Sequence, residues 1–202
     1  GGSPSRALRA LRCALDDFLR DGLKDGPPAN LTEAMNRSVK RTLARAGALG
    51  VAVSQRRFNL AFQPVIALQT GLAHHHEVLV RFEEGSSPFA LIRMAEEFDL
   101  IEELDLAVIE QSIKRLANDT ERKLKLAVNI SGRTIVSETF VDQVDRLLTR
   151  HDEAKGRLIF EITETTTIDD LPRANQNIQG LRSLGSLVCL DDFGAGSASF
   201  AY

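Results

Sequence analysis

Oxygen-bearing side chains recur at the ends of three short apolar runs. Asn129 and Ser131 follow "LAV", Glu161, Thr163 and Glu164 follow "LIF", and Asp191 and Asp192 follow "LVCL". Carboxylates and a side-chain carbonyl suit hard divalent cations such as Mg2+, Mn2+ or Ca2+. Adjacent aspartates at one strand end can touch two ions about 3.5 to 4 Å apart, a spacing that clamps the attacking and leaving oxygens of a phosphodiester. Any one cluster alone reads first as a helix cap or a turn, but three in succession reverse that preference and favour a site. A fourth group lies in "HHHEVLVRF". Strand alternation puts His75, Glu77, Leu79 and Arg81 on one face and His74, His76, Val78, Val80 and Phe82 on the other. A carboxylate for metal and a guanidinium for phosphate then share one wall of a nucleotide pocket. No metal-ligand spacing pairs His74 or His76 with a cysteine or another histidine, so both are read as packing or surface residues, and His75 alone looks into the site.

The elements that must position these groups follow from the rhythm of the chain. Leu8, Leu11, Leu15 and Phe18 recur at spacings of three and four, the stripe of an amphipathic helix or a short coiled-coil seam. "DGPPAN" ends that helix, and Asn30 with Glu33 resembles a capping box for a second helix through about Ala48. Residues 1–56 are thus expected as a helical N-terminal region and 57–202 as the main domain. "FNLAFQPVIAL" and "LAHHHEVLVRF" read as two strands joined at "QTG" into a hairpin. From Ser87-Pro88 a helical spacing runs over many turns to "RLAND". Strands and helices then alternate: "LKLAVNIS", "SETFVDQVDRLLTR", "GRLIFEITE", "DDLPRANQNIQGLRSLG" and "SLVCLDDFGAG". That alternation predicts an α/β fold with a parallel sheet covered by helices, either doubly wound or a (β/α) barrel, with the polar clusters at the carboxyl ends of the strands where such folds bind ligands.

Composition narrows the class. The 202 residues are 43% hydrophobic and 26% charged, enough for a buried core and unlike a disordered chain. With 25 basic and 28 acidic side chains the net charge is −3, which advertises neither a nucleic-acid polymer nor a membrane as partner. Cys13 and Cys189 lie far apart and suit a reducing compartment, so a cytoplasmic location is expected. No apolar run approaches the roughly 20 residues of a membrane span; a tether upstream of Gly1 is compatible with this. "DFG" at Asp192 to Gly194 lacks the glycine-rich loop, strand lysine and "HRD" loop of a protein kinase, while Gly194 and Gly196 allow close backbone approach to a ligand.

"FQPVIALQTG", "EVLVRF", "AVNIS", "FEITE" and "LDDFGAGSASF", in this order, resemble the EAL domain family of bacterial cyclic di-GMP phosphodiesterases and their degenerate receptor relatives. The likeness covers about Phe58 to Tyr202. It implies a modified TIM-type (β/α) barrel whose first strand is antiparallel, with about five of eight strands in this chain. It also implies Glu77, Asn129, Glu161 and Asp191 as metal ligands, Asp192 at a second metal, and Gln63, Arg81 and Glu164 on the dinucleotide side of the site. The ion would be Mg2+ or Mn2+, with Ca2+ inhibitory. The reaction would be attack of a metal-activated water on one phosphodiester, giving linear pGpG. The family's catalytic lysine and a later glutamate fall on strands beyond Tyr202, so no catalytic base is assigned here. Departures from the family pattern are "EVL" for "EAL", Phe82 for the usual tryptophan, and "GAGSAS" for "GTGYSS". The loop changes and the N-terminal helices favour a receptor-like or weakly active signalling member, a homodimer that controls a signalling or motility partner. The competing expectation is a ligand-free scaffold dimerising through its N-terminal helices.

Overall fold

In a computed structural model, residues 8, 9, 11, 12, 15, 31–82, 88–163 and 168–191 are described. Five strands form one sheet: β1 (Asn59–Ile66), β2 (Ala73–Arg81), β3 (Leu126–Ile130), β4 (Leu158–Thr163) and β5 (Leu187–Asp191). Their order in space is their order in sequence, with β1 antiparallel to β2 and the remaining pairs parallel. The hairpin turn closes through Gly71 N–H to Ala67 O at 2.8 Å, with Gly71 at φ 68°, a backbone region where a Cβ is strained. Among the described residues the arrangement is the strand-and-helix half of a TIM-type barrel, as the sequence predicts.

Six α-helices bounded within the described residues accompany the sheet: α1 (Leu31–Ser54), α2 (Pro88–Glu97), α3 (Ile101–Ala117), α4 (Gly132–Ile135), α5 (Phe140–Arg150) and α6 (Leu171–Ser183). They cover one face. Val78, Val128 and Phe160 point into that side and are sealed beneath Leu104 and Val108 of α3 and Phe140 and Val144 of α5. The Phe140 and Phe160 rings meet edge to face, centroids 6.2 Å apart, a geometry aromatic quadrupoles favour. Gly180 lets α6 approach α5, because a Cβ there would stand 2.9 Å from Val141 Cγ1.

Several boundaries move from the sequence expectation. α1 continues to Ser54 rather than about Ala48, because its apolar stripe runs on through Leu49 and Val53, which are core residues. The long helical stretch after Ser87 is two helices. The chain turns at Asp99, whose φ of 58° is left-handed, and Leu100 N–H closes α2 on Ala95 O at 2.7 Å. The Asp99 carboxylate accepts from Arg133 of α4 and from Arg9, the latter at 2.7 Å. α4 itself was not foreseen, since four residues carry no periodicity. Leu8, Arg9, Leu11, Arg12 and Leu15 are helical, and the three leucines are exposed; Phe18 and Asn30 lie outside the described residues. No described helix is long and apolar enough to cross a membrane.

The amino ends of β3 and β4 are locked by one buried cation. The Arg157 guanidinium donates to Asp119 Oδ2 at 2.9 Å, to Leu116 O at 2.6 Å and to Glu153 O at 3.0 Å. Asp119 Oδ2 also accepts from Leu124 N–H at 2.8 Å. A buried guanidinium is tolerated because it is paired and its donors are used.

Candidate functional site

Period-2 alternation decides which residues leave the core side. In β2, Val78 faces the helices and is 3% exposed, so Glu77 and His75 face the opposite way. Glu77 lies opposite Gln63 of β1 in the antiparallel register, and Asn129 of β3 lies beside Glu161 of β4. The carboxyl-terminal half of this open face therefore collects polar groups from four strands.

Asn129 Nδ2 donates to Glu77 Oε1 at 2.9 Å, joining residues 52 positions apart in sequence. Asn129 Oδ1 is out of solvent and has no hydrogen-bond partner. A buried carbonyl without a donor is costly, so a site that keeps one is poised for an external partner. The Glu161 carboxylate, on the neighbouring strand, comes within 3.7 Å of His75 Nε2. Burial first, and then the neighbouring His74 and His76, hold the His75 imidazole below its ordinary pKa. His75 thus does face the site, and His74 is exposed at the strand entry. His76 is half-buried on the helix side, and its Nδ1 is buried without a partner.

The remaining expected site residues are placed unequally. Gln63 and Arg81 are exposed, Gln63 directly across from Glu77 and Arg81 two pleats further along β2 with Nη1 donating to Val80 O at 3.0 Å. The backbone of Asp191 ends β5 beside Thr163. Its side chain, and all of Asp192, Glu164, Gly194 and Gly196, lie outside the described residues. Among the described residues no three His, Cys, Asp or Glu side chains form a metal-holding group; what converges is an amide between two carboxylates. That donor set, oxygen-rich and with an unused carbonyl, is of the kind hard divalent cations select. Cys189 on β5 is exposed and forms no disulfide among the described residues, and Cys13 lies outside the described residues.

One supporting residue escaped the sequence reading. Asp105 of α3 is buried, and its Oδ2 accepts from Ser131 N–H at 3.0 Å and Thr134 Oγ1 at 2.6 Å. It holds the turn two residues after Asn129, where Ser131 caps α4 by accepting from Thr134 N–H at 3.2 Å. Burial pushes the Asp105 carboxyl up to about 6, against the lowering pull of those hydrogen bonds. The available signal was an aspartate one residue after Leu104, on the buried stripe of a long helix.

With the fold and these groups in place, comparison with known proteins identifies the class: the model of the EAL domain matches residues 46–202, and the chain belongs to that family. Its relatives include the cyclic di-GMP phosphodiesterase PdeF of Escherichia coli, 30% identical over 173 residues, which cover 83% of this chain and 23% of PdeF. The cyclic di-GMP phosphodiesterase PdeB of Shewanella oneidensis is 31% identical over 158 residues, 75% of this chain and 18% of PdeB. The chain therefore spans less than a quarter of either relative. Among solved structures, the FimX EAL domain of Pseudomonas aeruginosa bound to c-di-GMP superposes with a TM-score of 0.66 at 30% identity, covering 77% of this chain and 63% of that one. The Xanthomonas citri FimX EAL domain in complex with c-diGMP gives a TM-score of 0.71 at 25% identity, covering 80% and 65%.

Proposed function

We propose that this EAL domain binds cyclic di-GMP through a divalent cation as a receptor-like or weakly active signalling module, preceded by a helical region over residues 1–56. The observation that carries the reading is the Glu77–Asn129 hydrogen bond beside Glu161, which leaves Asn129 Oδ1 buried and unpartnered. Glu77, Asn129, Glu161 and Asp191 would hold the ion, Mg2+ or Mn2+, and Asp192 a second one. When bound, the ion supplies Lewis-acid polarisation of a phosphodiester, the chemistry behind hydrolysis to pGpG in this family. The chain's own residues do the rest. Asn129 keeps the Glu77 carboxylate turned into the site, Asp105 fixes the turn that follows Asn129, and Gln63, Arg81 and Glu164 meet the dinucleotide, Arg81 as a fork for phosphate oxygens. Similarity to a cyclic di-GMP phosphodiesterase and to an EAL domain bound to c-di-GMP supports the choice of ligand.

Calorimetric titration of the full-length protein with cyclic di-GMP in Mg2+ tests this. Saturable binding that disappears in Glu77→Ala supports it, and absence of binding at tens of micromolar sinks it. Turnover of the nucleotide would move the protein from receptor to phosphodiesterase. The second reading, a ligand-free module that dimerises through its N-terminal helices, draws on the exposed Leu8, Leu11 and Leu15. It requires no nucleotide binding together with a dimer that Leu11→Asp dissociates. A cytoplasmic location, and a protein partner in a signalling or motility assembly, belong to the first reading.

A further inference from the structure

The histidine run supplies something the oxygen donors do not. His74 Nδ1 and His75 Nδ1 approach to 2.8 Å, their rings set edge to face at 83°. That contact occupies one nitrogen of His75 and turns the other, Nε2, towards Glu161 Oε1 at 3.7 Å. Both side chains are mostly buried, 15% and 14% exposed, so neither is a solvated surface group drifting past the other. Two ligands bonded to one divalent ion at about 2.0 to 2.2 Å, at angles between tetrahedral and trigonal, stand about 3.3 to 3.8 Å apart. The observed separation falls at that spacing. A metal-bound imidazole also needs its second nitrogen oriented by a neighbour, which is the part His74 plays here.

We propose that His75 Nε2, with Glu161, adds a nitrogen ligand to the oxygen donors of this site, shifting its preference from Mg2+ to borderline ions such as Zn2+ or Co2+. The inference rests on the cation-site reading given above and deepens it. Carboxylate and amide oxygens alone suit Mg2+ and Ca2+, whereas imidazole raises affinity along the series towards Zn2+. Asn129 Oδ1, buried and without a partner, provides a further donor on the next strand. The consequence is a domain whose occupancy follows the supply of a transition-metal ion.

The test uses the full-length protein stripped of metal by chelation, labelled with ¹⁵N-histidine, and titrated separately with Mn2+, Zn2+ and Mg2+. Pulsed electron paramagnetic resonance of the Mn2+ form is expected to show a directly bound histidine nitrogen that is lost in His75→Ala and retained in His74→Ala. Zn2+ affinity is expected to fall by about tenfold or more in both His75→Ala and Glu161→Gln. Mg2+ affinity in His75→Ala should change by less than about threefold, which also reports that this variant has kept its folded site; His75→Gln provides a second, shape-preserving check. Mn2+ binding without nitrogen coupling, or coupling that survives in His75→Ala, overturns the proposal while leaving the oxygen site intact. Failure of the wild-type protein to bind Mn2+ or Mg2+ overturns the cation site itself.

Discussion

Two polar clusters at opposite ends of the same sheet are satisfied to different degrees. At the amino ends of β3 and β4, Arg157 and Asp119 are paired, and their remaining capacity is spent on backbone groups of α3, of the turn before β4 and of the approach to β3. At the carboxyl ends, Glu77 and Asn129 share one hydrogen bond and Asn129 Oδ1 is left over. The first cluster is the more fully satisfied. The second is open on the side away from the helices. Of these two clusters the better satisfied sits at the end that holds the barrel together and the less complete at the end where (β/α) barrels bind ligands, while His76 Nδ1 and Ser186 Oγ near the amino ends are also buried without partners.

Breaking the better satisfied cluster should have the largest effect on folding. Arg157→Ala removes the cation paired with the largely buried Asp119 carboxylate and a donor from two backbone carbonyls, and is expected to cost about 3 to 5 kcal/mol in urea unfolding. Loss of ligand binding in that variant would track the unfolded fraction alone, and a stability within 1 kcal/mol of wild type, taken as about the spread of neutral changes, would refute the contrast. Asp105 comes next. Its folded carboxyl holds a proton up to about pH 6 whereas the unfolded one releases it near 3.8. The folded state therefore binds more protons in that window, and the group's contribution is fully present below about pH 4 and lost as pH rises through 6. The gap corresponds to roughly 3 kcal/mol. Asp105→Asn should remove that slope, seen as a difference between wild type and variant that changes from pH 4 to pH 7.5.

Smaller effects sharpen the other side. Asn129→Ala deletes an unsatisfied carbonyl together with one hydrogen bond, so stability should move by no more than about 1 kcal/mol in either direction while cation affinity falls by about tenfold or more. Calorimetry and unfolding on the same sample would show whether the two come apart. Smallest of all, Lys155→Ala removes an exposed pair with Asp152 and should leave both measurements unchanged.

The sequence made the strands legible because each is a short apolar run flanked by polar residues, and it made the facing of Glu77 and His75 legible because alternation has a period of two. Asn129 and Glu161 could be named as a pair because both sit at the ends of consecutive parallel strands, which pleat alignment brings level. What stayed hidden has a common cause. The left-handed turn at Asp99 depends on contacts with Arg133 and Arg9 from distant segments, and no local pattern in "EEFDLIEEL" interrupts the helical spacing. Asp105 was likewise masked, since its partners Ser131 and Thr134 lie 26 and 29 residues away. The extension of α1 to Ser54 was in the pattern and was cut short, for the stripe of Ala46, Leu49 and Val53 continues it at spacings of three and four.

The strand order β1-β2-β3-β4-β5 carries a consequence for how the chain is made. Each strand pairs with the one synthesised just before it, so no segment has to wait for a later one before it finds its edge. Loop closures stay short, the first to form being a hairpin, and sheet growth can keep pace with translation from the amino end. Glu77 is therefore in place on the growing edge before Asn129 emerges, and Asn129 before Glu161. The site is assembled in the order in which the ribosome delivers it.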